Sequence, residues 1–296
     1  MRPKVSVVFV NYNSTALLES ALCSLVAAEP DLPIETIVVD NASSDLAELA
    51  AVCRQYGARL LRLSRNLGIG AAVNRAARYV RSTYLAAANP DLEFEPGALS
   101  VLVRFMDERR DAGVAAPQFR YADGAIQPSA RRLPRLRYVL AGRRSPLARL
   151  LPVRLRRAEF LYAGIERSVQ PVAVEAVIGA FMLFRRDAFE QAGRFDEGYF
   201  MYAEDVDICR RLGMAGWRAY VVPAARVTHL VGQVRKSYRA FSEFHRLRSH
   251  RRYFLAQARG PRAAALDFLF GCYLALQSAA GLLGLSEYEY SWARAR

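Results

Sequence analysis

Residues 5–40 read VSVVFVNYNSTALLESALCSLVAAEPDLPIETIVVD, and this stretch predicts a strand, a helix and a second strand. The apolar, mostly β-branched runs at 5–10 and 34–40 have the length and the polar boundaries of fully buried parallel strands. Between them the leucines recur with the helical period, and Ser14 can cap this helix at its N-terminus. Such a unit is the building block of an α/β fold.

The alternation of strands and helices continues along the chain. A helix over 46–56 precedes a third strand at 58–64, and TYLAAANPDLEF (83–94) is a fourth strand that runs into a polar corner. Residues 173–193 predict a strand followed by a short helix. The pattern predicts a Rossmann-like, mostly parallel central sheet flanked by helices. Ligands of such sheets bind beyond the carboxyl ends of the strands.

Polar side chains stand at the carboxyl ends of the four predicted strands. They are Asn11 and Asn13, then Asp40, Asn41 and Ser43, then Arg65 and Asn66, and finally Asn89 and Asp91. Each one alone is explained by an Asx turn or a helix cap, and the polar residues of 41–44 can cap the helix that starts near Asp45. Four polar strand ends in succession instead predict a single crevice.

Length and composition limit the domain organisation. The 296-residue chain is 53% hydrophobic, which is enough to bury a substantial core. Its four cysteines show no metal-binding spacing and suit a reducing cytosol, and the first apolar run is too short for a signal peptide. We expect a main α/β domain over 1–235 with an Arg-rich insertion at about 125–160. A C-terminal helical region follows over 236–296.

The net charge of +14, from 42 Lys and Arg against 28 Asp and Glu, is concentrated in two places. Residues 124–158 contain ten arginines and no acidic residue, and residues 235–262 contain Glu243 as their single acid. Basic surfaces of this kind imply a polyanionic partner such as nucleic acid, anionic lipid or a pyrophosphate. The alternative is a solvated surface that happens to be rich in arginine.

The apolar run at 263–285 approaches the length of a membrane span, although Asp267, Gln277 and Ser278 interrupt it. Three interpretations stay open: a transmembrane helix, an interfacial helix anchored by the preceding arginines, or a helix packed on the domain. The polar interruptions favour the second and third.

Three carboxylates, Glu204, Asp205 and Asp207, crowd into four positions of GRFDEGYFMYAEDVDICRRLGMAGWRAYVVPAARVTH (193–229), which ends at His229. Like charges this close indicate that a cation, a basic substrate or a proton-transfer task offsets their repulsion. The alternative is an acidic first turn of a helix, which the macrodipole favours.

Five segments occur in a fixed order: VSVVFVNYNS, VVDNASSD, NLGIGAAVNRA, ANPDLEF, and the long run from GAFMLFRRDAFEQAG through the acidic cluster to THLVG. In order and spacing they resemble the family 2 glycosyltransferases, and most closely the bacterial rhamnosyltransferase-like branch that builds cell-surface polysaccharide. The resemblance covers about residues 4–235. It implies a GT-A fold, to which the C-terminal helical region is an extension.

The resemblance implies a metal site. Asp91 stands at the last Asp of the family's DxD motif, and His229 is the late histidine that completes the metal shell, so both are candidate ligands of Mg²⁺ or Mn²⁺. Asn89 replaces the first Asp of that motif and is expected to contact sugar or water. Such a metal would neutralise the departing diphosphate as a Lewis acid. For His229 the alternative is a hydrogen-bonded structural histidine.

The resemblance assigns Asp205 as the base of an inverting transfer, with Glu204 positioning it or contacting the acceptor. The helix N-terminus is expected to keep Asp205 ionised, while Glu204 and Asp207 raise its pKa. Asp207 itself is left out of the catalytic set as a residue of the helix start.

The predicted nucleotide site lies at the strand ends. By the resemblance, Asp40 accepts from the imide N–H of the base, Arg65 and Asn66 lie near ribose and phosphate, and Gly68 permits close backbone approach. The other predicted nucleotide-sugar contacts are Asn11, Asn13, Asn41 and Asn89. For Asn74, packing and sugar contact both stay open.

The predicted activity is metal-dependent, inverting transfer of rhamnose or another hexose from a dTDP- or UDP-sugar to a lipid-linked or polysaccharide acceptor. We expect the enzyme to be cytoplasmic and peripheral at the inner face of the bacterial plasma membrane, on an anionic surface and without nucleic acid. One alternative is a non-catalytic nucleotide-sugar binder. The other is a basic nucleic-acid-binding protein, which explains the charge but neither the carboxylates nor the ordered strand ends.

Overall fold

The computed structural model describes residues 3–136, 165, 168–230 and 239–282. Most of the insertion predicted at about 125–160 lies outside these ranges. The same holds for the domain boundary predicted after residue 235 and for the last residues of the apolar run at 263–285.

The helices and strands are numbered in chain order. The first half of the chain forms β1 (Val5–Asn11), α1 (Thr15–Ala28), β2 (Ile34–Asp40), α2 (Leu46–Gln55), β3 (Arg59–Arg62), α3 (Ile69–Ala77), β4 (Tyr84–Ala88), β5 (Leu92–Phe94), α4 (Ala98–Glu108), β6 (Ala112–Arg120), β7 (Ile126–Gln127) and β8 (Ala130–Arg131). The second half forms β9 (Val172–Val174), β10 (Ala176–Val177), β11 (Phe181–Arg185), α5 (Arg186–Gln191), α6 (Glu204–Met214), β12 (Arg218–His229), α7 (Arg239–Leu255) and α8 (Pro261–Leu282).

One large sheet runs in the order β3-β2-β1-β4-β11-β6-β12-β5, with β7 beside β6 and β9 beside β12. The strands β3, β2, β1 and β4 are parallel to one another, and β6 is parallel to β12. The strand β11 enters antiparallel between β4 and β6, and β5 is antiparallel to β12. The predicted mostly parallel sheet is therefore confirmed.

Both faces of the sheet are covered, which explains why β1 is apolar at nearly every position. Val5, Val7 and Phe9 pack on one face with helices α1, α2 and α4. Val8 and Val10 pack on the other face with α3, α5 and α6. Because successive side chains of a strand point to opposite faces, a strand between two helical layers needs apolar residues at both parities.

The single strand predicted within 173–193 is wrong in detail. The structure has β9, β10 and β11 there before the short helix α5, and each strand pairs with a different partner. Glu175 lies between β9 and β10, and its carboxylate accepts a hydrogen bond from the Leu133 amide at 2.6 Å. The β-branched composition correctly predicted an extended chain. The breaks between β9, β10 and β11 depend on pairing with strands that are distant in sequence.

The predicted side-chain caps are also wrong. Ser14 occupies the N-cap of α1, yet its hydroxyl donates to the carbonyl of Tyr12 at 3.0 Å. Asp45 precedes α2 without a side-chain capping bond, and the Ser44 amide donates to Asn13 Oδ1 at 2.8 Å. The contact between Ser44 and Asn13 joins the loops after β1 and β2 to each other, which holds the strand ends in place.

The C-terminal helices α7 and α8 pack against each other, with the rings of Phe254 and Phe270 stacked at 5.8 Å. Within residues 3–136, 165, 168–230 and 239–282, none of the helices combines the length and the apolarity that crossing a membrane requires.

Candidate active site

The ends of β1 and β2 form the first wall of the crevice. Asn11 and Asp40 are paired residues of the two strands, and both are buried. Asp40 Oδ1 accepts from the Ser43 amide at 2.9 Å, and Asn11 Nδ2 donates to the Ser43 hydroxyl at 3.2 Å. Asn11 Oδ1 is buried and has no hydrogen-bond partner among the described residues. The wall therefore offers an unused acceptor beside a buried carboxylate.

The remaining amides of this wall are engaged with the backbone of neighbouring loops. Asn41 Oδ1 accepts from the Leu67 amide at 2.9 Å, and Asn66 Oδ1 accepts from the Gly68 amide at 3.0 Å. Arg65, beside them, is exposed. These bonds shape the loop that precedes α3.

Gly68 is a point of close approach. Its φ is +84°, and a Cβ at this position would overlap the carbonyl oxygen of Phe200. Only glycine combines this conformation with this contact. The loop of the predicted nucleotide site thus touches the loop that precedes the acidic cluster.

Asn74 holds the same loop from helix α3. It is buried, its Nδ2 donates to the Phe195 carbonyl at 2.8 Å, and its Oδ1 accepts from the Phe195 amide at 3.1 Å. Of the two interpretations of Asn74, the structure shows the packing one.

The turn after β4 brings Asp91 and His229 together. Asp91 Oδ1 lies 3.4 Å from His229 Nε2, and the two side chains are 15% and 9% exposed. Asp91 Oδ1 is buried and has no hydrogen-bond partner among the described residues. His229 Nδ1 lies 3.1 Å from Gln127 Oε1, and a hydrogen on Nδ1 would satisfy this acceptor while Nε2 faces Asp91.

This corner fits a divalent cation, because a buried carboxylate oxygen and an imidazole nitrogen face one another. In the described part of the chain, His, Cys, Asp and Glu nowhere form a metal-binding group of three. Gln127 was missed by sequence reasoning, since nothing in a lone glutamine of an irregular segment indicates a histidine partner.

The predicted base lies at the start of α6. Asp205 Oδ2 accepts from the Gly179 amide at 3.0 Å, and Oδ1 accepts from the Val206 amide at 2.8 Å. Gly179 approaches so closely that a Cβ would contact the Asp205 side chain at 3.2 Å. Sequence reasoning also missed Gly179, whose role depends on the meeting of two segments distant along the chain.

Burial raises the pKa values of both adjacent carboxyls. The pKa of Glu204 is raised to about 8, first by burial and then by the charge of Asp205. The pKa of Asp205 is raised by burial, while the Val206 amide, Arg131 and the Gly179 amide oppose the rise. Glu204 Oε2 is buried without a hydrogen-bond partner among the described residues. Burial of this pair therefore disfavours two negative charges side by side.

Asp207 plays a different part. It is buried and pairs with Arg210 at 3.0 Å and with Arg211 at 2.8 Å, both on its own helix. Burial is the main cause of the raised pKa of Asp205, and the expected contribution of Asp207 stays a prediction. Its omission from the catalytic set is consistent with this structural role.

Backbone hydrogen bonds link the turn that carries Asp91 to the segment that holds Asp205. The Asn89 amide donates to the Ala180 carbonyl at 2.9 Å, next to the Gly179 amide that holds Asp205. Strands β7 and β8, in the segment expected to be a loop, supply Gln127 to His229 and Arg131 to the neighbourhood of Asp205. The structure therefore brings Asp91, His229 and the carboxyl pair to one region.

Comparison with known proteins identifies the family. The profile for glycosyl transferase family 2 matches residues 6–193, which is more than half of the chain. The chain belongs to glycosyl transferase family 2. It is a glycosyltransferase, and a second profile, glycosyl transferase family group 2, matches residues 154–257.

Two curated relatives of this family 2 glycosyltransferase are rhamnosyltransferases. It is 36% identical over 240 residues to the N-acetylglucosaminyl-diphospho-decaprenol L-rhamnosyltransferase of Mycobacterium tuberculosis, covering 77% of this chain and 76% of the relative. It is 28% identical over 247 residues to the rhamnosyltransferase WbbL of Escherichia coli, covering 79% and 86%.

A solved structure confirms the GT-A fold. The mannosyltransferase PcManGT from Pyrobaculum calidifontis, in complex with GDP-Man and Mn²⁺, aligns with a TM-score of 0.59 at 19% identity. The alignment covers 96% of this chain and 79% of that one.

The raised pKa of Glu204 predicts a pH-dependent gain in stability for Glu204→Gln. The unfolded chain ionises this carboxyl near its ordinary value of 4.5, whereas the folded chain keeps it protonated up to about pH 8. We expect the free energy of unfolding at pH 7 to rise by about 1–3 kcal/mol. The gain should vanish below about pH 4 and reach its maximum above about pH 8. Urea denaturation across this range measures it.

The matched control is Glu93→Gln, because Glu93 is an exposed carboxylate of β5. A gain that does not change with pH, or that Glu93→Gln reproduces, would contradict the burial of an uncompensated carboxyl at position 204.

Proposed function

We propose that this enzyme moves a deoxyhexose such as rhamnose from a nucleotide-sugar donor to a lipid-linked acceptor, with inversion at the anomeric carbon. The observation that carries the proposal is that the backbone of Gly179 and Ala180 bonds both the Asp205 carboxylate and the turn that bears Asp91, which contacts His229. Both named relatives are rhamnosyltransferases, and the mycobacterial one acts on a diphospho-decaprenol acceptor.

The donor is expected to enter at the ends of β1 and β2. Asp40 would accept from the base, and the unused Asn11 Oδ1 would accept from a sugar or base donor group. Arg65 and Asn66 would border the ribose and phosphates, and Asn89 would contact the sugar. Asn13, Asn41 and Gly68 act in this proposal by shaping the loops that line the donor.

Asp91 and His229 are proposed to hold a divalent cation, Mg²⁺ or Mn²⁺, which would stabilise the negative charge of the departing diphosphate. Gln127 fixes the histidine tautomer in which Nε2 is free to bind. The mannosyltransferase of the same fold was solved with Mn²⁺.

Asp205 is proposed to take the proton of the acceptor hydroxyl. As that O–H bond breaks, the acceptor oxygen bonds to the anomeric carbon and the bond from this carbon to the diphosphate oxygen breaks. Burial raises the pKa of Glu204 to about 8 and so disfavours a second negative charge beside Asp205. The raised pKa of Asp205 makes it a better proton acceptor than an exposed aspartate.

The substitution Asp205→Asn tests the base. It removes the proton acceptor but keeps the side-chain shape, so we expect kcat to fall roughly 10²- to 10⁴-fold. The dissociation constant for a dTDP- or UDP-sugar should stay within about twofold. Product formation on a synthetic polyprenyl-diphospho-sugar measures kcat, and calorimetry measures donor binding. The exposed Asp187 serves as the control, as Asp187→Asn. Full transfer by Asp205→Asn would refute the assignment.

The metal site is tested by binding rather than by activity. We expect Asp91→Asn and Gln127→Leu each to weaken Mn²⁺ binding about 10- to 100-fold, the first by loss of a ligand and the second by loss of the tautomer constraint. Titration of Mn²⁺ in the presence of UDP or dTDP, followed by electron paramagnetic resonance, gives the affinity. The exposed neighbour Glu93 is the control, as Glu93→Gln. Unchanged Mn²⁺ affinity in Asp91→Asn would exclude this corner.

The same experiments separate the two alternatives. A non-catalytic binder would take up the nucleotide sugar without transfer by the unmodified enzyme. A basic nucleic-acid-binding protein would bind DNA or RNA with a steep salt dependence and ignore the nucleotide sugar.

Helix α8 supports peripheral binding to an anionic membrane. One face of α8 is exposed and apolar or small over residues whose side chains are described, namely Ala264, Ala265, Phe268, Gly271, Cys272 and Ala275. Phe270 and Tyr273 on the opposite side are buried. The exposed Arg259 and Arg262 lie at the start of this face. An apolar stripe bordered by arginines suits the interface of an anionic bilayer.

Vesicle sedimentation tests this surface. We expect the protein to bind vesicles that contain phosphatidylglycerol more tightly than vesicles of phosphatidylcholine alone. Loss of Arg259 and Arg262 together should cost roughly 1 kcal/mol per arginine, about fivefold each, and Phe268→Asp should weaken binding to both vesicles. The control is Met214→Asp on α6, because Met214 and Phe268 are equally exposed, at 76%. Undiminished vesicle binding by Phe268→Asp would contradict the proposal.

A further inference from the structure

We propose that Arg252 of helix α7 is a positioning residue for the reaction, because it clamps the loop that places Asp205 and Glu204. This inference rests on the proposed role of Asp205 as the base. It assigns a contribution to catalysis to helix α7, which lies outside the sheet. The proposed mechanism gives this helix no contact with the donor or the metal.

The clamp is a bidentate ion pair. Arg252 Nε donates to Asp196 Oδ2 at 2.9 Å, and Arg252 Nη2 donates to Asp196 Oδ1 at 2.8 Å. The guanidinium packs directly over Gly198, where any Cβ would overlap it, and lies 5.5 Å from the centre of the Tyr199 ring. Paired, planar contacts of this kind fix orientation as well as distance.

Two more contacts from α7 reach the same loop. The Ser249 hydroxyl donates to the Met201 carbonyl at 2.8 Å, and the His245 ring lies 4.7 Å from the ring of Phe200. Together with Arg252, they place one face of α7 along residues 196–201. On the opposite side, Asn74 and Gly68 hold Phe195 and Phe200.

The loop needs this support because its backbone is strained. Tyr202 and Ala203, directly before the carboxyl pair, have φ values of 67° and 66°. Left-handed conformations of such residues are unfavourable and persist only where neighbouring structure imposes them. These two residues turn the chain so that Glu204 begins α6 with its carboxyl buried. Release of the loop would let water reach the pair.

Hydration of the carboxyl pair gives the clamp a signature of its own. Burial is the main cause of the raised pKa of Asp205. A loosened loop would lower that pKa toward its ordinary value, so the acid limb of the kcat profile would move to lower pH. The loss of a contact that only stabilised the fold would leave this limb in place.

The experiment compares Arg252→Ala with Arg251→Ala in the full chain. Arg251 is the adjacent residue of α7 and is also paired, but with Asp267 of α8 rather than with the loop. We expect Arg252→Ala to lower kcat about 10- to 100-fold, with the donor KM within about twofold and the acid limb shifted to lower pH. Arg251→Ala should keep both kcat and the limb. Arg252→Lys, which retains one charge but loses the bidentate geometry, should fall between.

Amide hydrogen exchange provides a readout that does not depend on transfer. Exchange of residues 199–206 should be faster in Arg252→Ala and in the milder Ser249→Ala than in Arg251→Ala. Equal exchange, or an unchanged acid limb with full kcat in Arg252→Ala, would overturn the clamp. If Arg252→Ala fails to fold, Arg252→Lys and Ser249→Ala decide by the same two measurements. Absence of transfer by the unmodified enzyme would instead refute the proposed function, while the exchange result would still stand.

Discussion

The burial of Glu204 beside the half-buried Asp205 is the constraint on which the rest of this site depends. Both residues begin a helix where partial removal from water disfavours the charged form of a carboxyl. The fold accommodates one negative charge by directing the amides of Gly179 and Val206 at Asp205 and by placing Arg131 nearby. A second negative charge at this place is disfavoured by burial. An arrangement that is costly for stability thereby raises the pKa of Asp205, the proposed base.

The site is assembled where the sheet changes direction. The antiparallel strand β11 lies next to β4, so the backbone that holds Asp205 also bonds the turn that carries Asp91. Strand β12 ends at His229 beside β5, which returns from that same turn. The Asp91–His229 corner and the Asp205–Glu204 pair are thus tied to one set of strands. Rigid placement of this kind limits the reorganisation that a reaction must otherwise overcome.

The loop at 195–203 is held in one conformation by contacts from two helices. Its backbone is strained at Tyr202 and Ala203, and it is held from α3 by Asn74 and from α7 by Arg252. Contacts from two sides are what allow a loop to present a side chain reproducibly. Helix α7 of the C-terminal region therefore contacts the loop that leads into the site.

Several features were predictable because they depend on local pattern. The apolar runs at 5–10 and 34–40 indicated buried parallel strands, since strands covered on both faces need apolar residues throughout. The polar ends at Asp40 and Asp91 indicated a crevice, because parallel strands bring their carboxyl ends to one edge. The cap predicted at Ser14 is wrong because its hydroxyl bonds the Tyr12 carbonyl in its own turn, and those predicted within 41–44 are wrong because Ser44 bonds Asn13 of the loop after β1.

The amino-acid sequence by itself determined the sheet, the family and the residue types of the site, because periodicity and ordered motifs are properties of neighbouring positions. The tertiary structure alone decided which of these residues work together. Gln127 meets His229, Gly179 meets Asp205 and Arg252 meets Asp196 across at least 26 positions of sequence. The structure also decided that Asp207 pairs with two arginines of its own helix while Asp205 is held by the amides of Gly179 and Val206, since only the folded chain brings these groups close.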